Sequence, residues 1–241
     1  MDHLLELGSA MARFAELTGE ATGDEQVLGC PGWDVRDLAT HLGTIYRGAG
    51  AIVLSGQRVK LPHPVVTEPL VDWYAGTASA LLAALQAVSP EEPVPNFTHL
   101  NEDAAFFARR QMHEATVHTV DAAQALGLDE AEWEVPPEIA ADGVDEVLQV
   151  FFPRMTSLGR RPDVRCRIRL IATDTGQEWV VAPGSSDSLP PLQLHSSYHS
   201  DATAKGTAAD LYLSLWHRVS RFRLDFEGSD ATALFDGPTT P

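Results

Sequence analysis

The sequence predicts an α+β chain of two domains, a helical bundle with a connecting helix over residues 1–158 and a small α+β domain over 159–241. Three observations predict it. Apolar residues recur at helical spacing in four stretches within the first 127 residues. Pro and Gly clusters separate those stretches, as loops require. Beyond Gly127 the pattern changes, and residues 164–171 alternate with a period of two, which is the signature of a strand.

The first helix spans 2–20, with Leu4, Leu5, Leu7, Met11, Phe14 and Leu17 as its apolar residues. The turn Gly29-Cys30-Pro31-Gly32-Trp33-Asp34 follows, and Asp34 is a good N-cap, with Asp37 acidic in the first turn. The second helix runs through Val35, Leu38, Leu42 and Tyr46 towards Leu54 and contains His41. Pro62, Pro64 and Pro69 mark a loop, and a third helix runs from Val71 to Val88. The fourth starts near Glu102 or Asp103 and ends at Leu126-Gly127, where glycine is a natural stop. Four amphipathic helices bury their stripes most simply as a bundle, whose interior builds metal sites from facing side chains. A connecting helix is expected over 139–155 and strands at 164–171, 179–182 and 195–204, with Asp174-Thr175-Gly176 as a turn. A helix at 208–216 and a strand at 222–226 complete the second domain.

The net charge of −17 argues against nucleic acid and anionic membrane partners, whose phosphates would repel the chain. No apolar run reaches membrane-spanning length, and no signal-peptide pattern opens the chain. Two cysteines, Cys30 and Cys166, make no disulfide framework, so a cytoplasmic setting is expected. A monomer or small homo-oligomer is expected.

Chemistry concentrates in Arg110-Gln-Met-His-Glu-Ala-Thr-Val-His-Thr-Val-Asp121. Glu114 and His118 are one turn apart, about 40° from each other on one helix face. Arg110 begins that stripe and Asp121 extends it, whereas His113 is about 140° away from His118. A carboxylate and an imidazole held so by a rigid helix suit a divalent metal. The plainer reading is a solvated face with a charge pair. His41 is a third candidate ligand, and its plainer reading is a hydrogen-bonded core histidine.

Cys30-Pro-Gly-Trp-Asp-Val-Arg-Asp-Leu-Ala-Thr-His41-Leu, with His113-Glu114-Ala-Thr-Val-His118-Thr-Val-Asp121-Ala, resembles the mycothiol-dependent maleylpyruvate isomerase family. The resemblance covers nearly the whole chain. It implies a DinB-like four-helix bundle with a C-terminal α+β domain, and a divalent metal, zinc above all, on His41, Glu114 and His118. It also matches Arg218, in Ala208-Ala-Asp-Leu-Tyr-Leu-Ser-Leu-Trp-His-Arg218, to a second-domain arginine linked to activity. Mycothiol is the implied thiol cofactor or co-substrate, and a small electrophilic or unsaturated acid the implied substrate.

Three protein ligands leave one coordination position open, which marks catalytic zinc sites and would admit an external thiol as thiolate. Such a thiolate could add to a cis double bond and leave after rotation, as in an isomerase. It could also attack an electrophile and stay, as in an S-transferase. A non-catalytic metal-binding sensor or scaffold is the alternative of a different class. Asp121 reads either as an orienting partner for an imidazole or as a salt bridge near the helix end. Cys30 is expected off the metal stripe, a small buried side chain, and Cys166 buried and inert on the apolar face of its strand. Arg165, Arg167 and Arg169 form a row, either a carboxylate-attracting surface or a solvent face. His195 and His199 lack a helical setting and are discounted as a metal pair. Trp33 and Trp73 read as packing residues.

Overall fold

Asp2, Asp34 and Asp103 each begin a helix by capping it. Asp2 accepts from the Leu4 and Leu5 amides at the start of α1 (His3–Glu20). Asp34 accepts from the Asp37 amide at 2.8 Å while the Asp37 side chain accepts from the Asp34 amide at 3.3 Å, a reciprocal box that opens α2 (Val35–Ser55). Asp103 accepts from the Phe106 amide at 2.8 Å at the start of α4 (Ala104–Ala125). α3 (Leu70–Gln86) begins after Pro69 without a side-chain cap. The described residues are 1–98, 101–160, 162–183 and 199–241 of this computed structural model. They form two units, Met1–Trp133 and Glu134–Pro241.

In the first unit α1 buries Leu7, Met11, Phe14 and Leu17 against its neighbours. α2 packs on α3 through Gly43, where an added Cβ would lie 2.3 Å from the Trp73 ring. Tyr46 of α2 and Tyr74 of α3 are both fully buried, with their hydroxyls 3.5 Å apart. α4 differs from the other three, for its buried side chains include Arg110, Gln111, His113, Thr116, His118 and Asp121. Burying such groups costs free energy unless they are paired, so α4 is where the bundle gives up core for chemistry.

The second unit opens with α5 (Pro137–Glu146), which passes through a π-helical turn at Val147–Phe151 into α6 (Phe152–Ser157). The strands are β1 (Ile168–Ala172), β2 (Glu178–Val181), β3 (Ala202–Gly206) and β4 (Asp225–Glu227), in sheet order β2-β1-β3-β4. β1 runs parallel to β3, and the outer pairs are antiparallel. Ile168, Leu170 and Ala172 are buried, and α7 (Ala208–Leu215) packs on β1 and β3. α8 (Ala233–Asp236) is a short C-terminal turn.

The structure corrects several expectations. Residues 134–158 belong with the second unit. Gly143 of α5 takes the Tyr212 ring, an added Cβ there lying 2.4 Å from it, and Asp145 accepts from Trp179 Nε1 at 2.9 Å. β1 begins at Ile168, not 164, so Cys166 precedes it and is half-buried, its thiol donating to the Ser229 carbonyl at 3.6 Å. The stretch 222–226 is a 3-10 turn at Arg221–Arg223 followed by β4, with Phe222 exposed. Of the extended stretch expected at 195–204, residues 195–198, His195 among them, lie outside the described residues, and β3 starts at Ala202.

Candidate metal centre

His41 sits two turns into α2, and α4 presents Glu114 and His118 to it. His41 Nε2 lies 3.0 Å from Glu114 Oε1, and His118 Nε2 lies 3.4 Å from the same oxygen. The three ligand atoms are all within 4.8 Å of one another. Tetrahedral ligands about 2.0–2.2 Å from a zinc ion stand about 3.3–3.6 Å apart, so this cluster is near the size that one divalent ion needs. The side chains of His41, Glu114 and His118 are 30%, 16% and 10% exposed, so access is greatest beside His41.

Each donor has its own support. Arg110, almost wholly buried, donates to Glu114 Oε2 at 2.7 Å and leaves Oε1 to the histidines. Burial opposes ionisation of Glu114, but Arg110 and the hydrogen bonds from His118 and His41 hold its carboxyl well below the usual range. His118 Nδ1 lies 2.8 Å from Asp121 Oδ2, a buried carboxylate. Burial disfavours charge on His118, but Asp121, Cys30 and Glu114 outweigh it and raise its pKa well above the usual range. The Asp121 contact fixes the ring and directs Nε2 to the Glu114 side. The Trp33 ring packs on His41 with centroids 4.9 Å apart.

Cys30 departs from its expected place. Its thiol donates to Asp121 Oδ2 at 3.8 Å, so Cys30, His118 and Asp121 form a second group of potential ligands. The turn explains this. Cys30 N donates to the Val27 carbonyl, Trp33 N to the Cys30 carbonyl and Val27 N to the Trp33 carbonyl, which fold the Pro31-Gly32 tip back on itself. The motif's spacing along the chain did not reveal this; the Pro-Gly reversal was the available signal. Because His118 Nδ1 is engaged with Asp121, the Cys30 group reads as support for His118 more than as a site of its own.

Other candidates lie elsewhere. His113 is fully buried on another side of α4. Arg165 pairs with Asp163, and Arg169 pairs with Glu178 across the β1–β2 ladder at 2.6 Å, which gives part of the row a structural task. His199 is exposed beside Asp201 at 3.5 Å. Arg218 is in the second unit, where its guanidinium donates to the Trp216 carbonyl at 2.7 Å and lies over the Trp216 ring.

A family profile for the mycothiol maleylpyruvate isomerase N-terminal domain matches residues 4–123, and a profile for the MDMPI C-terminal domain matches residues 138–237. A search of curated proteins finds no match. Among solved structures, that of the mycothiol-dependent maleylpyruvate isomerase superposes with a TM-score of 0.64 at 14% identity, over 93% of this chain and 91% of the other. A histidine-to-alanine mutant of that enzyme superposes with a TM-score of 0.62 at 13% identity, over the same shares of the two chains. At such identity the superpositions speak for the fold. With both profiles falling on the two units that the structure separates, the chain belongs to the mycothiol-dependent maleylpyruvate isomerase family.

Proposed function

We propose that this protein is a metal-dependent thiol enzyme, a mycothiol-dependent cis-trans isomerase of a small unsaturated acid of the maleylpyruvate kind. The observation that carries the reading is one carboxylate oxygen, Glu114 Oε1, met by imidazole nitrogens from two different helices. His41, Glu114 and His118 would hold the ion, with zinc the best match to a set of two imidazoles and a carboxylate. When bound, such an ion supplies a Lewis acid that favours thiolate over thiol at neutral pH.

The chain's own residues do the rest. Arg110 balances the charge of Glu114 and holds its orientation. Asp121 keeps the His118 ring aligned, and Trp33 packs against the His41 ring. The nucleophile comes from outside, because neither cysteine belongs to the His41–Glu114–His118 set. Addition of the thiol sulfur to the cis double bond leaves a single bond that rotates, and departure of the same sulfur restores the double bond as trans. No atom is gained or lost. An S-transferase would use the same residues and retain the sulfur on the product, so the fate of the thiol separates the two.

The test is turnover of a cis-unsaturated diketo acid by the metal-loaded protein, with and without mycothiol. Isomerisation that needs mycothiol and leaves its concentration unchanged is expected. Consumption of mycothiol with formation of a thioether would make the protein an S-transferase, and metal binding without turnover would make it a scaffold. Turnover in thoroughly dialysed protein without thiol would contradict the mechanism.

A further inference from the structure

Trp33 is fixed by its backbone and rests its side chain on a candidate ligand. Its amide donates to the Cys30 carbonyl at 3.0 Å, and its carbonyl accepts from the Val27 amide at 2.9 Å. Gly32, just before it, has a φ of 87°, in the left-handed region that glycine enters without strain. Asp34, just after it, caps α2. Trp33 therefore stands immediately before the cap, a place from which an apolar side chain usually packs on the fourth residue of the helix. The Trp33 ring reaches further, to His41, the seventh residue of α2, with centroids 4.9 Å apart and planes inclined at 55°.

The three candidate ligands are not held alike. Glu114 and His118 share α4, and each has a charged anchor on that helix, Arg110 at 2.7 Å and Asp121 at 2.8 Å. His41 comes alone from α2. A histidine that binds a metal ordinarily has its second ring nitrogen tied to a carboxylate or a carbonyl, as His118 has with Asp121. Among the described residues, the one hydrogen-bond partner of the His41 ring is Glu114, through Nε2. The other neighbours of that ring are aromatic, Trp33 and a nearly perpendicular His118 whose centroid is 5.2 Å away. His41 is also the most exposed of the three side chains, at 30% against 16% and 10%. The ligand with the weakest polar anchor is thus the one that solvent reaches best.

We propose that Trp33 is the positioning residue for His41, its ring standing where His118 has the Asp121 carboxylate, and that His41 is the ligand that yields first when a divalent ion exchanges. An aromatic ring packed on an imidazole narrows the rotamers open to it, and a turn fixed at both sides of Trp33 keeps that ring in place. The inference rests on the proposed metal triad and goes beyond it by naming the ligand that lets go and the side chain that restrains it.

The experiment follows release of zinc from the loaded protein into excess chelator, for the wild type and the Trp33→Phe, Trp33→Leu, Trp33→Ala and His41→Ala variants. The visible absorption of the cobalt(II)-loaded proteins is recorded beside it, since it reports the geometry around the ion. Trp33→Leu and Trp33→Ala should release zinc at least about tenfold faster, the low end of the loss when a residue that orients a ligand is changed. Both should also shift the cobalt absorption, whereas Trp33→Phe, which keeps a ring, should match the wild type in both readings. Trp33→Leu keeps an apolar residue before the cap, so its metal-free form should melt close to the wild type and separate fast release from a folding defect. A tryptophan that only fills the turn would lower the melting temperature when truncated and leave release and the cobalt absorption unchanged, which would overturn the proposal. So would release from Trp33→Phe as fast as from Trp33→Ala. Zinc lost in His41→Ala but released at the wild-type rate by every Trp33 variant would remove this inference and leave the metal triad standing. Zinc held by His41→Ala as firmly as by the wild type would remove both.

Discussion

Asp121 has a defined task at the scale of single residues. Its carboxylate accepts from His118 Nδ1 at 2.8 Å and from the Cys30 thiol at 3.8 Å, so it would orient one of the three proposed metal ligands without being one itself. Asp121→Asn should keep the fold and lower metal affinity about 10–100-fold, the usual loss when such a partner is changed. Competition with a chelating dye measures it, and unchanged affinity would return Asp121 to a structural role. Cys30→Ser retains a donor to Asp121 and should keep most of the activity. The metal-free protein should also carry a pH signature. Glu114 has its pKa lowered on folding, so its contribution is present above about 4.5 and fades as pH falls towards the folded value. His118 has its pKa raised on folding, so its contribution is full below about 6.5 and is lost as pH rises through the folded value. Chelator-treated protein should therefore melt highest between those limits, and His118→Gln should flatten the alkaline fall. A wild-type melting temperature that rises steadily from pH 6.5 to 9 would contradict this assignment.

The four helices of the first unit were legible at the scale of elements, because their caps and apolar stripes are local. Asp34 with Asp37 needs only three residues of context, and the box forms as the sequence implies. The strands were read less well. Residues 164–167 alternate in polarity, yet the ladder starts at Ile168, and Arg167 N turns to the Asp201 carboxylate instead. Alternation reports which side of a strand is buried, not where a partner begins. Two contacts had no local signal at all. Gly43 reads as a weak helix residue, but it is the place where α3 delivers Trp73. Gly43→Ala sets a methyl 2.3 Å from that ring, and overpacking of this kind costs about 1–3 kcal/mol. A lower melting temperature with metal stoichiometry retained is expected, and no change would mean that the ring moves freely aside. The Cys30 contact with Asp121 was hidden in the same way, since it spans 91 residues of sequence.

The whole molecule divides at Trp133, not at residue 158. Sequence patterning could not find that boundary, because residues 137–157 are as helical as the bundle and only their partners distinguish them. Tyr212 against Gly143 and Trp179 to Asp145 are those partners. Residues 134–241 expressed alone should therefore be folded, whereas 159–241 should be insoluble or molten, as judged by near-ultraviolet circular dichroism. A well-folded 159–241 fragment would restore the earlier boundary. No helix among the described residues is long and apolar enough to cross a membrane. Metal content is the measurement that reaches the centre of the account. Purified wild-type protein should carry one tightly bound divalent ion per chain, and His41→Ala and His118→Ala should each lose it while remaining folded. Full retention of one tightly bound ion in both variants would contradict the assignment of the metal to His41, Glu114 and His118.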